Sequence, residues 1–108
     1  MRTLDYFTRI NSIHDPVRVR CVIDAGAVRQ FTIQYEPWIE GKFRPVVRFD
    51  NAHGTPHRDV LDWDGNTITK DWDWEGVALD DGAAMNLALD ELRRDWETYR
   101  ADFIRRKP

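Results

Sequence analysis

The chain has 108 residues, a net charge of -3 and 42% hydrophobic residues, which together indicate one globular domain able to bury its own core. No apolar run approaches the ~18 residues of a membrane span, and the N-terminal stretch lacks the apolar segment of a secretory signal. The single cysteine, Cys21, excludes an internal disulfide and is typical of a small buried residue in a reducing compartment. We therefore expect a single cytoplasmic domain over residues 1–108, with no membrane partner.

Three stretches in the first half alternate apolar and polar residues, which is the pattern of strands with one buried side. The first covers residues 17–23 and the second covers 30–35, with a turn at Gly26 between them. The third covers 43–49, where Pro45 lacks the amide hydrogen that a ladder needs and therefore predicts an edge position or a bulge. Residues 1–16 are compatible with either a strand or a helix.

Two further strands are predicted at 60–63 and 67–70, because they flank Asp64-Gly65, a dipeptide suited to a type I′ hairpin turn. The last part of the chain changes to a spacing of three and four residues, the pattern of an amphipathic helix of roughly 24 residues. Asp80 or Asp81 can cap its start, and the basic residues at its end complement the helix dipole. Its apolar stripe consists of Met85, Ala88, Leu89, Leu92, Trp96, Tyr99 and Phe103.

These elements predict an α+β fold, an antiparallel meander of about five strands covered on one face by the long C-terminal helix. The predicted covered face bears the apolar side chains Val17, Val19, Phe31, Ile33, Phe43, Val47 and Phe49. Because one helix covers one face only, the opposite face meets solvent or a partner. It carries the polar and basic side chains Arg18, Arg20, Gln30, Thr32, Gln34, Arg44 and Arg48.

Charge is unevenly distributed along the chain. Through Arg58 there are 9 Lys and Arg against 6 Asp and Glu, whereas from Asp59 onward there are 7 against 13. This asymmetry predicts a basic surface and an acidic surface, which need not serve the same partner. Ordinary solvated charge is the alternative interpretation.

The stretch RFDNAHGTPHRD, residues 48–59, combines arginine, carboxylates and two histidines beside a turn. If the flanking strands pair, parity brings Arg48, Asp50, His57 and Asp59 to one end of the hairpin, where His53 in the turn can converge with them. Two imidazoles that exchange protons near neutral pH suit metal-independent cleavage of RNA. A histidine or an aspartate would take the 2′-hydroxyl proton, another histidine would protonate the leaving oxygen, and Arg48 would hold the phosphate. The alternative is a structural loop stabilised by the side chains of Asp50 and Asn51.

A metal site is a further interpretation of the same stretch, with His53, His57 and Asp59 as ligands. A His-x-x-x-His pair binds zinc well on a helix, where residues four apart share a face. A glycine and a proline between the two histidines argue against a helix, so we predict no metal and no other cofactor. A calcium loop beginning at Asp62 is excluded, because its sixth and twelfth positions lack the required glycine and glutamate.

The polar face of the sheet is a candidate surface for an RNA substrate. Arg18, Arg20 and Arg44 are expected to bind the phosphate backbone beside Arg48. Tyr35, or alternatively Trp38, is expected to stack a base at the rim.

The segment DWDGNTITKDWDWEG, residues 62–76, interleaves acidic residues with Trp63, Trp72 and Trp74. If exposed, the three tryptophans would anchor a basic partner protein. If buried, they would cover the helix while the carboxylates face water.

At VRFDNAHGTPHRD the chain resembles the TumE-like family of small bacterial toxins from toxin–antitoxin pairs. The resemblance is carried by Arg48, Phe49, Asp50, Asn51 and Ala52, with His53 and His57 as looser counterparts. It implies a compact sheet-plus-helix fold and a ribonuclease-like toxin neutralised by a helix-turn-helix antitoxin. The family's denser downstream histidine cluster is reduced here to residues 56–59. Two hypotheses follow: a toxin-like ribonuclease, or a non-enzymatic module that docks a partner through its acidic, Trp-rich hairpin.

Overall fold

The computed structural model describes all residues 1–108 as an α+β fold with a large antiparallel sheet and one long C-terminal helix, as the sequence predicts. The helix, α1, spans Asp81–Arg105 and is not apolar enough to cross a membrane. The strands are β1 (Arg2–Arg9), β2 (Pro16–Asp24), β3 (Ala27–Tyr35), β4 (Trp38–Ile39), β5 (Lys42–Phe43), β6 (Val47–Asp50), β7 (His57–Leu61) and β8 (Thr67–Asp71).

Six strands form the main sheet in the order β1-β2-β3-β6-β7-β8, an antiparallel meander. The predicted number of about five becomes six because residues 2–9 form β1, which pairs with β2. β1 is an edge strand with six of its eight residues exposed and none fully buried, so its sequence has no buried face to mark it as a strand. β4 and β5 form a separate small hairpin in the connection between β3 and β6.

The predicted third strand, at residues 43–49, is wrong in its first half. Phe43 ends β5 in the small hairpin and is half-exposed, with its ring centroid 4.9 Å from that of Trp38. Pro45 cannot donate to the ladder, and pairing in the main sheet starts at Val47 of β6. Phe43 is therefore not part of the covered face.

The hairpin of β7 and β8 forms around Asp64-Gly65 as predicted, but its connection is longer than a type I′ turn. The side chain of Asp62 accepts hydrogen bonds of 2.9 Å from the amides of residues 64 and 66. Of the dipeptide, only Gly65 has a positive φ, at 82°. Because a type I′ turn needs positive φ at both central residues, an Asp-stabilised loop replaces it.

The helix α1 packs on β3 and β6 and covers one face of the sheet. Asp80 caps its start by accepting a hydrogen bond of 2.8 Å from the amide of Ala83. Beneath it, Ile33, Tyr35 and Phe49 are fully buried, and Cys21 is a buried free thiol, as predicted. The buried residues of the helix are Ala84, Ala88, Glu91, Leu92 and Phe103.

The opposite face of the main sheet is polar, as predicted. The register places Arg18 of β2 opposite Gln34 of β3, and Gln34 opposite Arg48 of β6. Cross-strand partners project to the same side, so these side chains form a row across three strands. Arg18 is exposed and Arg48 is partly exposed, which leaves the row accessible to solvent.

Candidate active site

The β6–β7 hairpin brings together four of the five predicted site residues. Its register pairs Asp50 with His57 and Arg48 with Asp59. The loop between the strands is held by Asn51, whose side chain hydrogen-bonds to the backbone of β3 at 3.0 and 2.9 Å. The stabilised loop considered as an alternative therefore exists together with the cluster, and it positions the cluster.

The imidazole of His57 lies between two carboxylates. Nε2 is 3.1 Å from Oδ1 of Asp50 and 3.4 Å from Oδ2 of Asp59. Nδ1 is 2.9 Å from the carbonyl oxygen of Thr55, and because a carbonyl oxygen can only accept, Nδ1 carries a proton. Nε2 therefore either donates a second proton to the carboxylates or offers its lone pair to a cation held between them.

Two basic side chains balance these carboxylates. Arg48 lies 3.4 Å from Oδ2 of Asp50 and 3.5 Å from Oδ2 of Asp59, and Lys70 lies 3.6 Å from Oδ1 of Asp59. Sequence reasoning missed Lys70, because only the β7–β8 register places it opposite Asp59. Oδ1 of Asp59 is nevertheless buried without a hydrogen-bond partner.

The cluster is nearly sealed from solvent. The side chains of His57 and Asp59 are 1% and 2% exposed, and the indole of Trp72 lies over the imidazole with ring centroids 4.7 Å apart. The side chains of Asp50 and Arg48 are 10% and 33% exposed. A ligand on the open face therefore contacts Arg48 and Asp50, while His57 and Asp59 lie behind them.

His53 lies outside the cluster, which corrects the prediction that two imidazoles converge. It is exposed in the short 3-10 turn Ala52–Gly54 with a φ of 67°, and it takes part in none of the cluster's ion pairs. Parity predicts side-chain direction only along a strand, and the backbone of this turn does not alternate.

The cluster opens onto a shallow cleft on the uncovered face of the sheet. Arg18 and Arg20 of β2, two of the candidate substrate-binding residues, line this cleft with Arg48. Arg18 donates hydrogen bonds of 3.3 and 3.2 Å to Asp5, and this pairing lowers the pKa of that carboxyl. The remaining lining residues are Thr32, Gln34, Asp50 and Ala52.

An exposed aromatic ring lies on the same face, although it is not the predicted one. Phe7 pairs with Arg18 across β1 and β2 and is 60% exposed. Tyr35, the predicted stacking residue, is fully buried and donates its hydroxyl to Asp15 at 2.7 Å. Tyr35 shares its parity with the core residue Ile33, so it faces α1 and not the substrate surface.

Arg44 also lies outside the predicted substrate surface. Its guanidinium donates to the backbone oxygens of Ile39 and Glu40 at 2.8 and 3.4 Å, and it lies 4.6 Å from the ring centroid of Trp63. Pro45 interrupts the strand, so Arg44 lies outside the main sheet. Strand parity therefore predicts the wrong position for its side chain.

The tryptophans of the acidic segment do not form the exposed docking ridge considered above. Trp74 is 4% exposed and donates its indole N–H to Glu91 at 3.1 Å. Trp63 stacks on an aromatic ring near the end of α1, with centroids 4.8 Å apart. Only Trp72 is exposed, and one side of its ring covers His57.

Sequence reasoning missed a second ionic cluster, on the helix side of the sheet. Arg58 donates to Asp71 at 2.6 and 2.9 Å and to Glu91 at 3.0 Å. Tyr99 donates to Glu91 at 2.5 Å, and burial together with this bond raises the pKa of the phenol. Since its members are mutually hydrogen-bonded, this cluster ties the helix to the sheet. Its only sequence signal was a glutamate within the apolar stripe.

One protein-family model matches the chain over residues 1–108, and its description is Domain of unknown function (DUF7718). Comparison with curated proteins and with solved structures finds no match. Function therefore has to follow from the chemistry of the cluster and the cleft.

Proposed function

Because the chain belongs to the DUF7718 family, whose function is unknown, we propose a function from the site: a toxin-like protein that binds single-stranded RNA on the uncovered sheet face and cleaves it beside the cluster. One observation carries the proposal. The arginine cleft is continuous with the carboxylate–imidazole cluster, since Arg48 and Asp50 belong to both. RNA binding and proton transfer would then occur at adjoining groups.

The chemistry of the cleft suits a single RNA strand. Arg18, Arg20 and Arg48 present guanidinium groups to phosphates over roughly 10 Å by 7 Å, from the spacing of strands and the rise per residue. Phe7 supplies an exposed ring on which a base can stack. Unpaired bases, which can be splayed onto such a surface, suit an open sheet better than a duplex does.

In the proposed reaction, Asp50 starts the cleavage. Oδ1 of Asp50 accepts a hydrogen bond from the amide of Ala52 and lies beside Nε2 of His57. Oδ2 has Arg48 as its only polar partner. Oδ2 would take the proton of a ribose 2′-hydroxyl as that oxygen attacks the adjacent phosphorus, and Arg48 would stabilise the charge that develops on the phosphate.

The bond to the 5′-oxygen then breaks, which leaves a 2′,3′-cyclic phosphate and a 5′-hydroxyl that takes its proton from water, and the hydroxide left behind takes the proton held by Asp50. His57 does not reach the cleft, because its side chain is 1% exposed. It acts as a positioning residue that holds Asp50 from behind, and this role replaces the proton exchange with RNA that the sequence predicts for the imidazoles; an aspartate as the base was among the alternatives.

A toxin role adds a protein partner. The resemblance to the TumE-like family at residues 48–52 implies a helix-turn-helix antitoxin. RNA cleavage without control would stop the growth of the cell that makes the protein. An antitoxin that acts by protein contact would have to occlude the arginine cleft.

Cleavage of a labelled single-stranded RNA by the purified protein tests this proposal. Asp50→Asn and Arg48→Ala should each lower the cleavage rate by about 100-fold or more. Arg93→Ala is the matched control, because Arg93 is an exposed arginine on α1, and it should leave the rate unchanged. Expression of the wild-type protein in bacterial cells should arrest growth, and expression of the first two variants should not. Intact RNA with the wild type, or full activity in Asp50→Asn, would contradict the proposal.

A further inference from the structure

We propose that Asp50, His57 and Asp59 form a binding site for a divalent transition-metal ion, with Zn²⁺ as the expected occupant. The ligand atoms are Oδ1 of Asp50, Nε2 of His57 and Oδ2 of Asp59. One imidazole nitrogen and two carboxylate oxygens are donors that zinc accepts in proteins, and three protein ligands leave one position for water or a substrate oxygen. This inference concerns ion binding and does not depend on RNA cleavage.

The distances from His57 to the two carboxylate oxygens match a tetrahedral site. With metal–ligand bonds of 2.0–2.1 Å, two corners of a tetrahedron lie about 3.3 Å apart. Nε2 of His57 is 3.1 and 3.4 Å from the two carboxylate oxygens. Ligand atoms from all three residues lie within 4.8 Å of one another, whereas two ligands of one ion lie at most about 4.2 Å apart, so zinc binding would draw the two carboxylates together where they exceed that distance.

The other nitrogen of the ring is held as it is in metal-binding histidines. Nδ1 of His57 donates to the carbonyl oxygen of Thr55 at 2.9 Å, which fixes the tautomer and the orientation of the ring. A neutral imidazole in this tautomer presents a lone pair from Nε2 to two carboxylate oxygens. That arrangement is repulsive unless a cation lies between them.

Asp59 supplies an independent indication. Its side chain is 2% exposed, and its Oδ1 has no hydrogen-bond partner. The nearest cation, Nζ of Lys70, is 3.6 Å away, beyond hydrogen-bonding distance. Buried carboxylate oxygens normally have partners, and bidentate coordination of the ion, through Oδ1 as well as Oδ2, would provide one for the unpartnered atom.

The charges around the site indicate what a bound ion would attract. Arg48 and Lys70 already balance the two carboxylates, which allows the cluster to form without an ion. A dication would leave its charge uncompensated, so the open coordination position would favour an anionic oxygen. Because Arg48 also lines the cleft, a phosphate is the anion best placed to reach that position.

The competing explanation is an imidazolium that donates a second proton from Nε2 to the carboxylates and needs no ion. The two explanations give opposite results when zinc is added. An imidazolium held in this way would exclude the ion, whereas a neutral ring would bind it and change the environment of Nε2.

Calorimetric titration of ZnCl₂ into the metal-stripped, full-length protein tests the site. We expect one zinc ion per chain. His57→Gln and Asp59→Asn should each weaken binding at least tenfold. His53→Gln is the matched control, because His53 belongs to the same hairpin but lies outside the cluster, and it should bind zinc like the wild type.

A second measurement needs no variant and covers the case in which a substitution prevents folding. The ¹⁵N resonance of Nε2 of His57 in the wild-type protein should shift on addition of ZnCl₂, while those of His14 and His53 should not. Absence of zinc binding in the wild type, or an unmoved His57 resonance, would overturn the proposal. A protein that binds zinc through His57 but leaves RNA intact would support the metal site and reject the ribonuclease function.

Discussion

Tyr35 lies fully buried in the core, yet its phenol has a polar partner. It donates to Asp15 at 2.7 Å, and the other oxygen of that carboxylate accepts from Ser12 at 3.2 Å. Burial, followed by the hydrogen bond to Asp15, raises the pKa of Tyr35 well above its ordinary value. One residue thus fills an apolar position of a strand and also anchors the connection that precedes β2.

We expect stability to fall as the pH rises above about 10, because the pKa values of Tyr35 and Tyr99 are both raised in the folded state. The unfolded chain loses these protons first, so stability is fully present below the unfolded pKa and declines above it. The loss is about 1.4 kcal/mol per tyrosine at about pH 11. Urea unfolding at about pH 8 and about pH 11 measures it.

The variant Tyr35→Phe separates the contributions of Tyr35 and Tyr99 to the loss of stability at alkaline pH. The variant should be less stable than the wild type by about 1–3 kcal/mol near neutral pH, because Asp15 loses its buried donor. It should lose roughly half as much stability as the wild type on the change to about pH 11. An alkaline loss equal to that of the wild type would show that Tyr35 is not one of the titrating groups.

At the scale of elements, one carboxylate joins the helix to the sheet. Glu91 lies in the buried stripe of α1 and accepts hydrogen bonds from Trp74, Tyr99 and Arg58. These donors come from the segment after β8, from the helix itself and from β7. An apolar residue at this position would pack against the sheet but would leave three donors without their acceptor.

Glu91→Ala should lower the free energy of unfolding by about 3 kcal/mol, because removal of one partner leaves the guanidinium of Arg58 less compensated in a partly buried site. The measurement is urea unfolding at neutral pH. Asp90→Ala is the matched control: Asp90 is exposed and pairs only with Arg93, so the change should stay within about 0.5 kcal/mol. Equal losses in the two variants would contradict the assigned role.

At the scale of the whole molecule, the uneven charge along the chain becomes a difference between surfaces. The arginines that line the cleft come from β2 and β6, in the basic part of the sequence. The acidic part supplies β8, the tryptophan segment and α1. Since the single helix covers one face, the basic cleft stays accessible on the other.

Affinity for RNA should depend on salt in proportion to the phosphates bound in the cleft. Three arginines contacting three phosphates predict a slope of about -2 for log affinity against log salt, from ~0.7 counterions released per phosphate of a single strand. Fluorescence anisotropy of an uncleavable 2′-O-methyl oligonucleotide over a KCl series measures this slope. Arg20→Gln should reduce its magnitude by about 0.7 and Arg93→Gln should not. A slope near zero would rule out the cleft as an RNA surface.

Most of the sheet and the helix could be predicted, because a buried side imposes a period of two or of three to four on the sequence. β1 could not, since an exposed edge strand carries no such period. Phe43 and Arg44 were misplaced because Pro45 ends the alternation between them and β6. The pairing of Arg48 and Asp50 with the next strand was predictable, since both flanking strands kept their parity.

The sequence by itself determined which residues could meet on each face of the hairpin, because side-chain direction along a strand follows from local backbone geometry. Only the tertiary structure decided which of those residues contact one another and which lie outside the cluster. The β7–β8 register places Lys70 opposite Asp59, and Trp72, in the segment after β8, packs on His57. His53 lies in the turn, outside the cluster. Those outcomes depend on contacts between residues distant in the chain and on irregular backbone, neither of which leaves a periodic signal in the sequence.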